Sequence, residues 1–152
     1  MEVVMFTSKH PRKTRSGLRF GGAVLDAALV LPILLSLTFG TVEYGHYFFV
    51  KHAMQGAARE GARAAITPSA TNATVTAAVN SSMSAAGFNS SVYTVSIRNA
   101  TDTANLNVSG LAAGTGILVK VSCTWGTVGL RPLGLIGSNK QVVGMTTMRK
   151  EG

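Results

Sequence analysis

The chain has 152 residues, of which 13% are charged, and a formal net charge of +8. A typical soluble domain carries roughly 25% charged residues, so part of this chain is built for surroundings other than water. Its one cysteine, Cys123, excludes an intrachain disulfide and a cysteine-based metal site.

Half of the charge excess falls in the first 21 residues, where Lys9, Arg12, Lys13, Arg15 and Arg19 outweigh Glu2. Lys and Arg resist translocation and stay cytoplasmic, so a basic head before an apolar run is a topology signal. No aromatic interleaving or reader motif accompanies the charge, and no nucleic acid is expected as a partner.

Between Asp26 and Glu43 lie sixteen uncharged residues, Ala27 to Val42. A bilayer core takes about 20 helical residues. Apolar character resumes at Tyr44, Tyr47, Phe48, Phe49 and Val50, which predicts a transmembrane helix over 22–50 with the lipid bilayer as its surroundings. Tyr44 and Tyr47 suit the headgroup interface. Glu43 and His46 then belong at the outer boundary or facing neighbouring helices. Pro32 is tolerated in a membrane and predicts a helix kink. The orientation follows, with the amino terminus cytoplasmic and the bulk of the chain extracytoplasmic. The stretch SLTFGTVEYG after the run has no A-x-A pattern, so removal of the whole span is not expected. Two fates remain, an uncut signal anchor or a cut before the span.

The helical period continues outward. Tyr47, Val50, Met54, Ala57, Gly61 and Ala65 fall on one face, while Lys51, Gln55, Arg59, Glu60 and Arg63 cover much of the rest. A helix from Gly22 to Ala65 is predicted, ended by Pro68. Ala57, Ala58, Gly61, Ala62 and Ala65 permit close approach, either of the chain's own sheet or of another subunit. Val75, Val79 and Met83 predict a short second helix, capped by Ser69 or Thr71 and stopped at Gly87, with Phe88 folding back.

Strands follow. SVYTVSIR alternates Tyr93, Val95 and Ile97 with polar residues, and GILVKVSCTW puts Ile117, Val119, Val121, Cys123 and Trp125 on one face. Cys123 reads as a buried small hydrophobe. NKQVVGMTTMRK is a looser third strand. The loop over 99–115 is polar and expected to be mobile. The loop over 126–138 carries Leu130, Leu133, Leu135 and Ile136, which either cover the chain's own core or form a sticky surface for a partner or the membrane; partner contact is the expectation. The fold class is therefore α+β: a long membrane helix continuing into an amphipathic stalk, a short second helix and a small antiparallel sheet. The expected division is a basic cytoplasmic leader (1–21), the span (22–50), its extracytoplasmic continuation (51–66) and a small α+β head (67–152).

No catalytic constellation is found. Glu43 and His46 have i, i+3 spacing, but two ligands make no metal site. Serines lack a G-x-S-x-G elbow, no glycine loop suits a phosphate, and no cofactor or enzymatic activity is expected. Five N-x-S/T sequons, at Asn72, Asn80, Asn89, Asn99 and Asn107, could be glycosylated in a eukaryotic secretory route, but in a region this rich in Asn, Ser and Thr they are expected by chance.

The run Arg19-Phe-Gly-Gly-Ala-Val-Leu-Asp-Ala-Ala-Leu-Val-Leu-Pro resembles the start of the TadE-like proteins, pseudopilins of bacterial tight-adherence (Flp/Tad) pilus systems. Phe39-Gly40, Glu43-Tyr44-Gly45, Phe48-Phe49 and Ala57-Ala58-Arg59-Glu60-Gly61-Ala62-Arg63-Ala64 extend the resemblance. The closing Thr146-Thr147-Met148-Arg149-Lys150-Glu151 is similar more loosely. The chain departs from the family pattern at Asp26, where Glu is usual, and at Ala27, where an aromatic is usual.

The resemblance implies a pilin-like head and cleavage by a prepilin peptidase between Gly21 and Gly22, where the missing side chain leaves the backbone accessible. It implies that Asp26 is an assembly carboxylate meeting the freed amino terminus of a neighbouring subunit. A carboxylate at mid-bilayer costs about 2.5–3.5 kcal/mol on insertion scales, so a compensating cation matters there, unless Asp26 instead sits at the headgroup boundary, where it costs little. The implied setting is the bacterial inner membrane, single-pass, and the implied partners are other pilin or pseudopilin subunits. The alternative is an uncut, signal-anchored extracytoplasmic binding module.

Overall fold

The computed structural model describes residues 20–151; the basic leader expected over 1–21 lies outside the described residues up to Arg19. The chain forms two compact units, divided between Leu35 and Ser36. A first helix, α1 (Phe20–Ile66), contributes to both and contains Pro32. Proline has no N–H to donate, so the Ala28 carbonyl lacks its usual helical partner at this turn. Along residues 21–35 every side chain is exposed, including Leu25 at 73% and Leu29 at 69%. This is the described helix long and apolar enough to cross a membrane.

In the second unit, α1 buries the face that its period predicts. Val50, Met54, Ala57, Ala58, Ala62 and Ala65 are fully buried. A second helix, α2 (Asn72–Ala85), is capped by Thr71, whose hydroxyl accepts from the Thr74 amide while the Thr74 hydroxyl accepts from the Thr71 amide. Its buried side chains are Val75, Val79 and Met83. Gly87 takes φ 85°, and the Phe88 and Gly87 amides donate back to the Met83 and Ser84 carbonyls. That left-handed residue closes the helix, as glycine does without a Cβ penalty.

After a 3-10 turn (Ser90–Val92) come three antiparallel strands in a meander: β1 (Thr94–Asn99), β2 (Gly116–Thr124) and β3 (Gln141–Arg149), in the order β1-β2-β3. The register pairs Ile97 with Val119 and Val119 with Thr146. The inner face of β2, with Ile117, Val119, Val121 and Cys123, joins α1 and α2 in one core. Burial pushes the Cys123 thiol up to about 11, as desolvation disfavours the thiolate. The fold is α+β, as the sequence predicts.

Two expectations are corrected. Trp125 does not continue the β2 face: the strand ends at Thr124, and Trp125–Val128 coil into a short helical turn, α3. The Trp125 and Gly126 amides donate to the Lys140 and Ser138 carbonyls, which ties this turn to the start of β3. The polar stretch after β1 is also anchored by specific bonds. Asp102 pairs with Arg98 and Lys120, both at 2.9 Å, and these two cations hold its carboxyl below the usual carboxylate range. Asn72 clamps the far side, donating to the Leu106 carbonyl and accepting from the Val108 amide.

Candidate functional site

The site begins on the apolar part of α1. Gly21 and Gly22 lie in its first turn, and a Cβ on either would meet nothing within 4 Å. Asp26 is exposed one turn further along. These are the residues at which the family resemblance implies cleavage and an assembly carboxylate.

Further along the helix, the second unit folds a loop back onto α1. Glu43 is fully buried, although it sits in an apolar helix. Its Oε1 accepts the Ile136 amide at 2.8 Å and its Oε2 accepts the Leu133 amide at 3.3 Å. Hydrogen bonds to an ionised group are stronger than neutral ones, so the carboxylate acts as a clamp on the loop between α3 and β3. One turn on, His46 Nε2 lies 3.0 Å from the Val128 carbonyl. A carbonyl only accepts, so this contact places the proton on Nε2. The imidazole also lies 5.7 Å from the Trp125 ring, and Tyr47 meets the same indole edge-on at 5.4 Å. Gly129 packs directly on the indole; a Cβ there would stand 2.6 Å from Cδ2. Glu43 and His46 therefore face their own chain's loop.

The four candidate contact residues separate. Leu130, Leu133 and Leu135 are exposed, whereas Ile136 is half-buried against the core. The small residues of the A-A-R-E-G-A-R stretch pack on the chain's own structure. A Cβ on Gly61 would stand 2.5 Å from Val79 Cγ2 and 3.0 Å from Val119 Cγ1. Here glycine is required by close approach of α2 and β2, and this face is occupied within the chain.

Three arrangements carry no sequence signal that points to them. Gln55 turns its amide onto the outer edge of β3, donating to the Met145 carbonyl at 2.9 Å and accepting from the Met145 amide at 3.3 Å. Beside it, a Cβ on Gly144 would collide with the Met54 carbonyl. Lys150, 5% exposed, donates from Nζ to the Ala65 and Thr67 carbonyls at the end of α1. All five sequon asparagines use their side chains as acceptors in the local fold: Asn72 from Val108, Asn80 from Tyr93, Asn89 from Ser91, Asn99 from Thr103 and Asn107 from Ser109.

Residues 21–63 match the family model described as TadE-like protein, and this bears out the resemblance along α1. The matched stretch runs from the glycine pair to the last basic residue of the helix, so it takes in Asp26, Pro32 and Glu43. No curated protein and no solved structure matches the chain.

Proposed function

We propose that this chain is a membrane-anchored, pseudopilin-like structural subunit acting in assembly of a Tad-type pilus or related secretion apparatus, without catalytic activity. The observation that carries the reading is the TadE-like match over residues 21–63 on a helix whose first fifteen matched residues expose only small or apolar side chains and Asp26. Such a surface is stable in lipid or against other apolar helices, not in water.

The proposed course follows from this surface. The basic leader stays in the cytoplasm, α1 spans the inner membrane, and the head folds outside. A prepilin peptidase cuts between Gly21 and Gly22. The new amino terminus of one subunit then meets Asp26 of a neighbour, a pairing that offsets the cost of a carboxylate within the apolar layer. Subunits thus associate laterally through residues 22–39, while each head keeps its own core closed.

Mass spectrometry of the protein extracted from membranes tests the route. Under this reading the amino terminus is Gly22. An intact chain from Met1, in cells that assemble the apparatus, favours the uncut signal-anchored module instead. Asp26→Asn separates assembly from insertion: the protein still enters the membrane, and filaments or secretion are lost.

A further inference from the structure

We propose that the loop from Gly129 to Gly137 dips into the membrane, with Leu130, Leu133 and Leu135 in the outer leaflet and a lipid acyl chain in the groove between Leu135 and α1. This rests on the reading of α1 as the membrane span.

The uncharged run Ala27 to Val42 is sixteen residues long, about 24 Å at 1.5 Å per residue. A hydrocarbon core is about 30 Å thick. At the outward end of the run the next residue is Glu43, and its carboxylate is not open to lipid. It is fully buried, with Leu133 and Ile136 amides on its two oxygens. The loop therefore covers the charge that would otherwise face lipid at the end of the apolar layer.

The loop also shares the level of the apolar helix. Leu135 Cδ1 lies 3.5 Å from where a Cβ on Gly40 would stand, and Gly40 belongs to the uncharged run. Leu37, Gly40, Tyr44 and Leu135 line an open groove at this junction. Leu130 is 56% exposed, Leu133 40% and Leu135 55%. Three exposed leucines within six residues make an apolar patch rather than a scattered apolar side chain. Non-helical backbone is tolerated at membrane depth only where its polar groups are satisfied within the protein. Glu43 meets that condition for two amides of the loop. Arg131, exposed between Leu130 and Pro132, has a stem long enough to return its guanidinium to lipid phosphates.

Lipid fits this groove better than a helix of a second copy. The small-residue turn that would admit another helix is already filled, since Gly40 is buried beneath Leu135. The Thr41 hydroxyl is bonded to the Leu37 carbonyl at 2.8 Å and asks nothing of a neighbour. A flexible acyl chain needs no matching shape.

The test uses the full chain carrying Cys123→Ser, reconstituted in vesicles of phosphatidylethanolamine and phosphatidylglycerol. A polarity-sensitive fluorophore is placed in turn at Leu29→Cys, Leu130→Cys, Leu133→Cys and Thr101→Cys. Lipids brominated in their acyl chains should quench the labels at 29, 130 and 133, while aqueous iodide should quench only the label at 101. If 29 is quenched by lipid but 130 and 133 respond to iodide as 101 does, the span stands and the loop proposal falls. If 29 is not quenched by lipid, the membrane reading fails and takes the proposal with it. Shielding of 130 and 133 from both quenchers would show a second copy covering the loop, and would overturn the lipid assignment.

Discussion

The Glu43 carboxylate accepts the Ile136 amide at 2.8 Å across 93 residues of chain. With the second oxygen on Leu133, it fixes the apolar loop against the helix that carries the carboxylate. An amide in place of the carboxylate keeps the shape, loses the charge and turns an N–H toward one of the loop's own N–H groups. Glu43→Gln should therefore speed hydrogen exchange at the Leu133 and Ile136 amides by about tenfold, given what a charged acceptor contributes. Amides of β2 should keep their protection. Unchanged exchange at Leu133 and Ile136 would show that the loop is held by its leucines alone.

Lys150 stands at the other end of the same helix. Its ammonium meets the Ala65 and Thr67 carbonyls, where the negative end of the helix dipole favours a cation. Lys150→Met keeps the apolar stem and deletes the charge. The expected loss is about 1–2 kcal/mol, read as a lower midpoint of thermal unfolding in detergent. Lys150→Met with an unshifted midpoint would mean that the Glu151 amide bond to Ile66 suffices to hold the helix end.

Two glycines give opposite expectations. A Cβ on Gly144 meets backbone, the Met54 carbonyl and the Gln55 nitrogen, and neither can move without shifting α1. Gly144→Ala should destabilise by about 1–3 kcal/mol, in the range of overpacking. Gly56 lies inside α1 with nothing within 4 Å of its would-be Cβ. Gly56→Ala should stabilise by up to about 1 kcal/mol through the lower helix cost of alanine. Urea midpoints of the two variants, compared with the parent, check both signs.

What the sequence makes legible is what repeats. The face from Tyr47 to Ala65 is visible because six residues keep a 3.6-residue period, and β2 because its apolar residues alternate through Cys123. The same alternation misleads at Trp125, where an apolar residue in step with the strand begins a turn instead. What stays hidden depends on contacts that have no period. Glu43 looks like a membrane boundary in a linear reading, since its partners are backbone amides and every residue type supplies those. Lys150 looks like a solvated charge at the end of a strand, and only the return of β3 to α1 shows it capping a helix. The polar stretch after β1 has the composition of a mobile loop, yet Asn72 and Asp102 hold it by specific bonds.

Cys123 links this packing to pH. Its thiol is pushed up to about 11 by burial, and burial also raises the Tyr93 phenol, whose hydroxyl donates to Asn80 at 2.9 Å. Both groups are neutral in the fold and ionise more readily once unfolded. The unfolded chain therefore binds fewer protons above the ordinary thiol value of about 8.5, and stability falls as pH rises from there toward about 11. Below that window the contribution is complete and independent of pH. Cys123→Ala should flatten the alkaline fall in unfolding free energy while leaving the Tyr93 part above the phenol's ordinary value. At neutral pH the parent thiol should react with an aromatic disulfide reagent far more slowly than in urea, as the thiolate is the nucleophile and is scarce in the fold. A native-state rate equal to the unfolded rate would place Cys123 outside the core.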